Sequence, residues 1–145
     1  KEYNTMSTEV KVTYQGNLSC KAYHPASESD FPTAAPTAIG GTGKGFTPGD
    51  VLAASLGSCM LTYIGVIAMR EELSIEGTVA TVETEMGDNP HRVSNLKVSL
   101  LMPDSCKNLT AAQKAKLVNG SKMCPVKASL HPDIKIDIEF IWPAD

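Results

Sequence analysis

The residues best suited to chemistry in this chain of 145 residues are its four cysteines. A cysteine thiolate is a nucleophile, and peroxides oxidise its sulfur in defined steps. Cys59 lies inside the run Val51 to Met69, which contains no charged residue, and Cys124 stands directly before Pro125. Because the cysteines are widely spaced and a chain of this size needs no disulfides to fold, we expect reduced thiols in a cytoplasmic protein.

Two interpretations of Cys59 fit the residues around it. Ser55 and Thr62 share its side of the predicted helix, and such small residues would leave room for a ligand. The alternative is a packing role, because free cysteine is among the most buried residue types. Cys124 stands where a short helix would begin, and the unpaired N–H groups of a helix start favour a thiolate. Cys124 is therefore predicted to ionise more readily than Cys59, although it too could be a structural thiol.

The other potential ligands do not form a metal-binding pattern. Cys20 and Cys106 are predicted to be strand and loop thiols. The three histidines are far apart in sequence, and none stands at zinc-ligand spacing from a cysteine or an acid: these are His24, His91 and His131. The glycine-rich run from Gly40 to Gly45 lacks the residues of a phosphate-binding P-loop and predicts a flexible loop. We expect neither a metal nor a bound cofactor.

Composition argues against two further classes of protein. The net charge of −3 is small and the lysines are interspersed with acids, which does not favour nucleic acid as a partner. The uncharged run from residue 51 to 69 is long enough to span a membrane, but serine, glycine, threonine and alanine dilute its hydropathy, so a helix buried in protein is favoured. The first residues form no apolar segment typical of a secretory leader. A single domain over residues 1–145 is expected.

The first half of the chain predicts two strands, a loop and a long helix. Alternating apolar residues indicate strands over Glu9–Tyr14 and Leu18–Tyr23, joined by a turn. Residues 24–48 contain four prolines and a glycine cluster, and they are predicted to be mostly loop. Thr47 can cap a helix that begins at Pro48 and ends near Leu73.

The second half predicts a hairpin, two helices and a last strand. Segments 75–86 and 93–101 alternate in hydropathy around a turn at residues 87–90. Thr110 and Gln113 have the spacing of a capping box, and Asn119-Gly120 would close that helix. A short helix is predicted after Cys124, and a strand over residues 133–142. Hairpins interrupted by helices indicate an α+β fold.

The predicted long helix also bears on assembly. At about 1.5 Å per residue, it would extend for roughly 38 Å. One small sheet cannot cover an apolar helix of that length, so a second subunit would have to supply part of the shell. We therefore expect a homodimer.

Two segments of the sequence resemble one known family. The run TPGDVLAASLGSC from Thr47 to Cys59, together with Cys124-Pro125-Val126, resembles the osmotically inducible and organic hydroperoxide resistance proteins, OsmC and Ohr. The similarity extends from about Gly40 to the end of the chain. It implies an OsmC-like fold in which antiparallel β-sheets surround a long buried central helix. It also implies an intertwined homodimer with its active sites at the subunit interface.

The same resemblance implies an activity, the reduction of peroxides, chiefly organic ones. In that family scheme Cys59 attacks the peroxide and becomes a sulfenic acid, and Cys124 condenses with it to a disulfide. An external dithiol or a thiol-reducing protein then regenerates both thiols, and no cofactor is required.

The sequence departs from the family at the groups that would activate Cys59. The family uses an arginine from the early strands or the loop, held by a glutamate directly after the proline, whereas the arginines here are Arg70 and Arg92 and position 49 is glycine. Asp50 and Lys44 are the candidates to take over these supporting roles, although lysine cannot reproduce the bidentate fork of arginine. An alternative function is therefore a dimeric OsmC-like protein that binds a small hydrophobic molecule at the subunit interface.

Overall fold

The computed structural model describes residues 7–144, which form two compact units, one ending at Val51 and one beginning at Leu52. Six strands and three α-helices alternate in an α+β arrangement, which confirms the predicted class. In chain order they are β1 Lys11–Gly16, β2 Ser19–His24, β3 Ser29–Ala34, α1 Pro48–Arg70, β4 Val79–Gly87, β5 Arg92–Leu101, α2 Ala111–Ser121, α3 Pro125–Ala128 and β6 Lys135–Ile141.

The first unit is an antiparallel sheet of three strands in the order β1-β2-β3. The third strand corrects the prediction that residues 24–48 are mostly loop. Pro32 lies in β3 opposite Lys21, and a proline is tolerated there because β3 is an edge strand of this sheet. After β3 the chain loops back to the end of that strand. There the N–H of Ala34 donates to the carbonyl oxygen of Phe46 at 2.9 Å.

Helix α1 begins where the sequence predicts. The backbone N–H of Asp50 donates to Thr47 Oγ1 at 3.1 Å, and the N–H of Thr47 donates to Asp50 Oδ2 at 3.0 Å. This reciprocal pair satisfies two N–H groups at the helix start, with Pro48 as the first helical residue. Threonine capping and the start at Pro48 are thus confirmed.

The helix ends at Arg70, three residues before the predicted Leu73. Glu72 adopts a left-handed backbone with φ of 54°. Its N–H donates to the carbonyl of Met69 at 3.2 Å, and the N–H of Leu73 donates to that of Ala68 at 2.8 Å. These two bonds form a Schellman motif, which terminates the helix.

The second unit packs α1 against a sheet in the order β4-β5-β6. Leu96, Val98 and Leu100 project from β5 into the core and are fully buried, as are Leu56, Met60 and Ile64 of α1 in the same core cluster. Strand β5 pairs antiparallel with β4 but parallel with β6. The sheet is therefore mixed, and this one parallel pair is where it departs from the predicted antiparallel sheets. Helices α2 and α3 lie between β5 and β6 in the chain and provide the crossover that a parallel pair requires.

Helix α2 lies directly on α1. Thr110 and Gln113 form the predicted capping box. Gly120 is inside the helix instead of closing it, since α2 continues to Ser121. A Cβ at Gly120 would come within 3.0–3.1 Å of atoms of Ile67, Ile64 and Tyr63. Glycine at this position therefore allows two helices to approach each other closely.

One side of α1 remains open in the single chain. The helix is long and apolar enough, with a mean hydropathy of 1.9, to meet the length and composition criterion for a membrane span, but only 28% of that window is buried. Beyond its first turn, α1 is exposed at Ala54, Ser58, Thr62, Met69 and Arg70. Burial of this helix on all sides is therefore not achieved within one chain.

Candidate active site

The structure brings the two candidate thiols together. Cys59 lies in the middle of α1, packs against the core and is partly exposed. Cys124 is the residue that caps the start of α3 and is only 2% exposed. The Cys59 thiol is close enough to Cys124 to raise its pKa. The sulfurs come from helices separated by more than 50 residues of sequence, so this proximity is a product of the tertiary fold.

The surroundings of Cys124 oppose its ionisation. Burial raises the pKa of Cys124, and the interaction with the Cys59 thiol raises it further, while the backbone N–H groups of Lys127 and Val126 lower it. The N–H of Lys127 donates to the sulfur at 3.4 Å. The net pKa shift is upward, so the prediction of a stabilised Cys124 thiolate is wrong. Loss of water around the sulfur outweighs the N–H groups of a helix only four residues long.

The small residues beside Cys59 are engaged within their own helix. The Ser55 hydroxyl donates to the carbonyl of Leu52 at 2.7 Å, and the Thr62 hydroxyl donates to that of Ser58 at 2.8 Å. These bonds satisfy the hydroxyl donors without a ligand. The small side chains beside Cys59 therefore have no hydroxyl donor left without a partner.

An open groove borders Cys124 on the side of α3 and the start of β6. Its volume is about 440 Å³, and its polar rim includes Lys122, Lys127 and His131. Ile134 and Ile136 form part of its apolar wall. These basic residues were not among the candidates predicted from the sequence. A signal was available, because no aspartate or glutamate occurs between Asp104 and Asp133.

The remaining cysteines and the histidines do not converge on a metal site. Burial raises the pKa of Cys106, while Ser105 and Lys114 lower it, and this buried thiol lies 3.9 Å from the carbonyl oxygen of Ser74. Cys20 is in strand β2. Within residues 7–144 no group of three or more histidine, cysteine or acidic side chains could hold a metal ion. Cys106 is buried in the connection between β5 and α2, where a loop thiol was predicted.

A family model describes this arrangement. The model for OsmC-like proteins matches residues 41–139, more than half of the chain and both thiols. The chain belongs to the OsmC-like family. Among curated protein sequences, none is similar enough to count as a match.

Solved structures of the OsmC and Ohr type share the fold. A Psychrobacter arcticus protein described as belonging to the osmotic stress and detoxification response is 38% identical, with a TM-score of 0.87 over 96% of this chain and 99% of that one. An organic hydroperoxide resistance protein OsmC from Legionella pneumophila is 17% identical, with a TM-score of 0.72 over 94% and 97% of the two chains. One from Elizabethkingia anophelis is 12% identical, with a TM-score of 0.71 over 96% and 99%.

For this OsmC-like protein, the two residues expected to support Cys59 lie in the first unit. Asp50 uses its carboxylate to cap α1 through the Thr47 N–H. Lys44 is exposed in the glycine-rich loop, where its backbone N–H donates to Thr42 Oγ1 at 3.2 Å. The carboxylate of Asp50 therefore has a structural task at the helix start, and the supporting roles of both residues remain predictions.

Neither arginine of this OsmC-like chain lies where the family resemblance places an arginine. Arg92 lies at the start of β5 and forms an ion pair with Asp133 at 3.2 Å. Arg70 ends α1, eleven residues after Cys59, which corresponds to about 16 Å along the helix axis. Both thiols lie within the residues that the family model matches, and neither arginine lies in the early strands or the glycine-rich loop.

Proposed function

We propose that this OsmC-like protein is a thiol-dependent peroxidase that reduces organic hydroperoxides. The observation that carries the proposal is the proximity of the two cysteines, which pack in the same core cluster and are close enough for the Cys59 thiol to raise the pKa of Cys124. The difference in exposure supports a division of roles, because Cys59 is partly exposed and Cys124 is almost completely buried. A peroxide reaches Cys59 more readily, and Cys124 stands ready to resolve the product.

The proposed reaction proceeds in two steps. The Cys59 thiolate attacks the outer peroxide oxygen, the O–O bond breaks, and the alcohol leaves with a proton while Cys59 becomes a sulfenic acid. The Cys124 sulfur then attacks the sulfenic sulfur, a disulfide forms and water leaves. The peroxide gains two electrons and the two thiols lose two. An external dithiol or thiol-reducing protein returns the pair to the reduced state, as expected of a cytoplasmic enzyme.

The same proposal includes a homodimer formed through the open side of α1. Ala54, Ser58 and Thr62 are small exposed residues at helical spacing, and a Cβ at Gly65 would meet no atom within 4 Å. Small residues allow two helix backbones to approach each other closely. The first unit adds exposed apolar side chains that a partner could cover. These include Val10, Val12, Tyr14, Phe31 and Phe46.

The test of the peroxidase proposal is a single oxidation. Treatment with one equivalent of cumene hydroperoxide is expected to produce a Cys59–Cys124 disulfide, detected by mass analysis of non-reduced peptides. Cys59→Ser should lose peroxide consumption. Cys20→Ser and Cys106→Ser serve as matched controls and should retain it. Undiminished peroxide consumption by Cys59→Ser would show that the proposed chemistry is wrong.

A binding protein is the second candidate, favoured by one observation. Arg92 forms an ion pair with Asp133, and Arg70 lies at the far end of α1 from Cys59. Neither arginine of the chain therefore takes the place of the arginine that the family resemblance expects beside Cys59. In that case the dimer holds a small hydrophobic molecule at its interface and its thiols only pack. Native mass spectrometry of the purified protein would detect a retained molecule, and a fast reaction of Cys59 with peroxide would exclude this candidate.

A further inference from the structure

Tyr63 follows Cys59 by four residues on α1 and shares its side of the helix. Residues four apart on a helix have Cβ atoms about 5–6 Å from each other. Long and aromatic side chains of a helix point toward its N-terminus, over the residue four positions earlier. The phenol ring of Tyr63 is therefore directed toward Cys59.

The ring of Tyr63 lies at the margin of the core and not inside it. Tyr63 and Cys59 are both half-buried. Within residues 7–144, Cys59 and Ile67 are among the side chains that pack against the core cluster, whereas Tyr63 is not. Its neighbours in sequence are the exposed Thr62 and the buried Ile64, so Tyr63 lies on the flank of α1 between the open side and the core. This is the flank from which a peroxide can reach Cys59.

Helix α2 fixes the backbone of α1 at this point. A Cβ at Gly120 would come within 3.1 Å of the Tyr63 carbonyl oxygen and of the Ile64 Cα, so the two helices touch at Tyr63. Cys124 follows four residues after Gly120. One helix contact therefore holds both the base of the Tyr63 side chain and the start of the connection to Cys124. A functional group carried on such rigid elements keeps its geometry well.

The hydroxyl of Tyr63 is free to donate to a bound molecule. Within residues 7–144 it makes no hydrogen bond to another protein group. The hydroxyls of Ser55 and Thr62 differ, because both donate to backbone carbonyls of α1. Tyr63 is thus a proton donor without a protein acceptor, one helical turn from Cys59.

The proposed reaction requires a donor of this kind. When the O–O bond of a hydroperoxide breaks, the inner oxygen leaves as an alkoxide, which is a strong base. Neither Arg70 nor Arg92 lies beside Cys59 to stabilise that negative charge. A phenol is a stronger acid than the alcohol that forms, so proton transfer from tyrosine to the alkoxide is favourable. A donor placed where the charge develops lowers the barrier of the reaction.

We propose that Tyr63 is a catalytic residue that donates its phenolic proton to the leaving oxygen of the peroxide. The inference rests on the proposed function, because it identifies the source of the proton that the alcohol carries away. The Cys59 thiolate attacks the outer oxygen, an S–O bond forms, and the O–O electron pair moves to the inner oxygen, which takes the Tyr63 proton. Water then returns a proton to the phenolate, which balances the proton that Cys59 lost on ionising. The sulfur loses two electrons and the peroxide gains two.

The test compares leaving groups at the same sulfur. Cumene hydroperoxide releases an alkoxide that needs a proton, whereas peracetic acid releases acetate and iodoacetamide releases iodide, and neither of these needs one. The first turnover is followed without dithiol by rapid acid quenching and mass analysis of the Cys59 peptide. Tyr63→Phe should slow the reaction with cumene hydroperoxide about a hundredfold, the lower end of general acid catalysis. It should leave the reactions with peracetic acid and iodoacetamide unchanged.

The control variant removes the same hydroxyl elsewhere. Tyr23→Phe alters strand β2 and should react as the parent does with all three reagents. Equal slowing of Tyr63→Phe with all three reagents would mean that the hydroxyl supports the fold or the sulfur itself, which overturns the inference. An unchanged rate of Tyr63→Phe with cumene hydroperoxide overturns it as well and leaves the proposed function intact. A parent whose Cys59 reacts with iodoacetamide but not with cumene hydroperoxide refutes the proposed function, and the inference with it.

Discussion

At the scale of single residues, Cys59 and Cys124 have complementary surroundings. Cys124 is buried, and burial raises its pKa, whereas Cys59 is partly exposed on a long helix. Their candidacy as reactive thiols could be predicted from residue type and neighbouring motif. The ionisation of Cys124 could not, because the atoms that bury its sulfur come from distant parts of the chain.

The raised pKa of Cys124 predicts how stability depends on pH. A thiol whose pKa is higher in the folded than in the unfolded protein stabilises the fold at low pH, and this contribution is lost as the pH rises. The free energy of unfolding of the reduced protein should therefore fall above roughly pH 8.5, the ordinary thiol range. Cys124→Ser should show a weaker fall. Urea denaturation at pH 8 and pH 10 measures both, and parallel curves for parent and variant would contradict the prediction.

At the scale of elements, the helix boundaries followed from local signals and the strand pairing did not. Thr47 and Thr110 cap their helices through bonds to residues three positions away, and such local contacts are visible in sequence. Strand β3 contains Pro32, a residue that argues against a strand. Its strand conformation depends on pairing with β2, which is not a local signal. The parallel pairing of β6 with β5 is likewise non-local.

The end of α1 offers a stabilising substitution. Glu72 holds a left-handed backbone at the position after the helix where glycine is preferred. Glu72→Gly should raise the free energy of unfolding by about 1 kcal/mol, because a side chain at positive φ is strained. Glu76→Gly removes the same charge at a position without positive φ and should give no gain. Thermal denaturation of both variants checks the expectation, and equal stabilities would disprove it.

The contact of α2 with α1 predicts the opposite effect for a second glycine. Gly120→Ala adds a methyl group that meets two backbone atoms of α1 at 3.1 Å. The gain in helix propensity is at most about 1 kcal/mol, while overpacking costs about 1–3 kcal/mol. The variant should therefore be less stable than the parent, as measured by urea denaturation. Gly49→Ala, where the nearest atom is 3.8 Å away, is the matched control and should not be destabilised.

At the scale of the whole molecule, one chain leaves an apolar helix partly uncovered. The exposed positions Ala54, Ser58 and Thr62 follow one side of α1. The sequence predicted a long helix from Pro48 and predicted that one chain could not cover all of it. A cover supplied by another subunit leaves only an indirect signal in the pattern of one chain.

The homodimer proposal predicts a specific sensitivity on that side. Thr62→Arg should weaken self-association at least about tenfold, because a buried guanidinium without a partner is costly. The circular dichroism of the variant should match that of the parent. Asn108→Arg introduces the same charge at an exposed loop and should remain dimeric by light scattering. A parent that is monomeric at micromolar concentration would refute the proposal.

The close approach at Gly120 has a mechanical consequence for the thiols. Because α2 touches the backbone of α1 at Tyr63 and Ile64, the two helices cannot slide past each other without separating. Only Ser121, Lys122 and Met123 lie between this contact and Cys124. If the backbone of Cys124 must move for the disulfide to form, we therefore expect the movement in that short connection and in α3. Oxidation should change hydrogen exchange at residues 122–128 and leave the amides of α2 as slow as before.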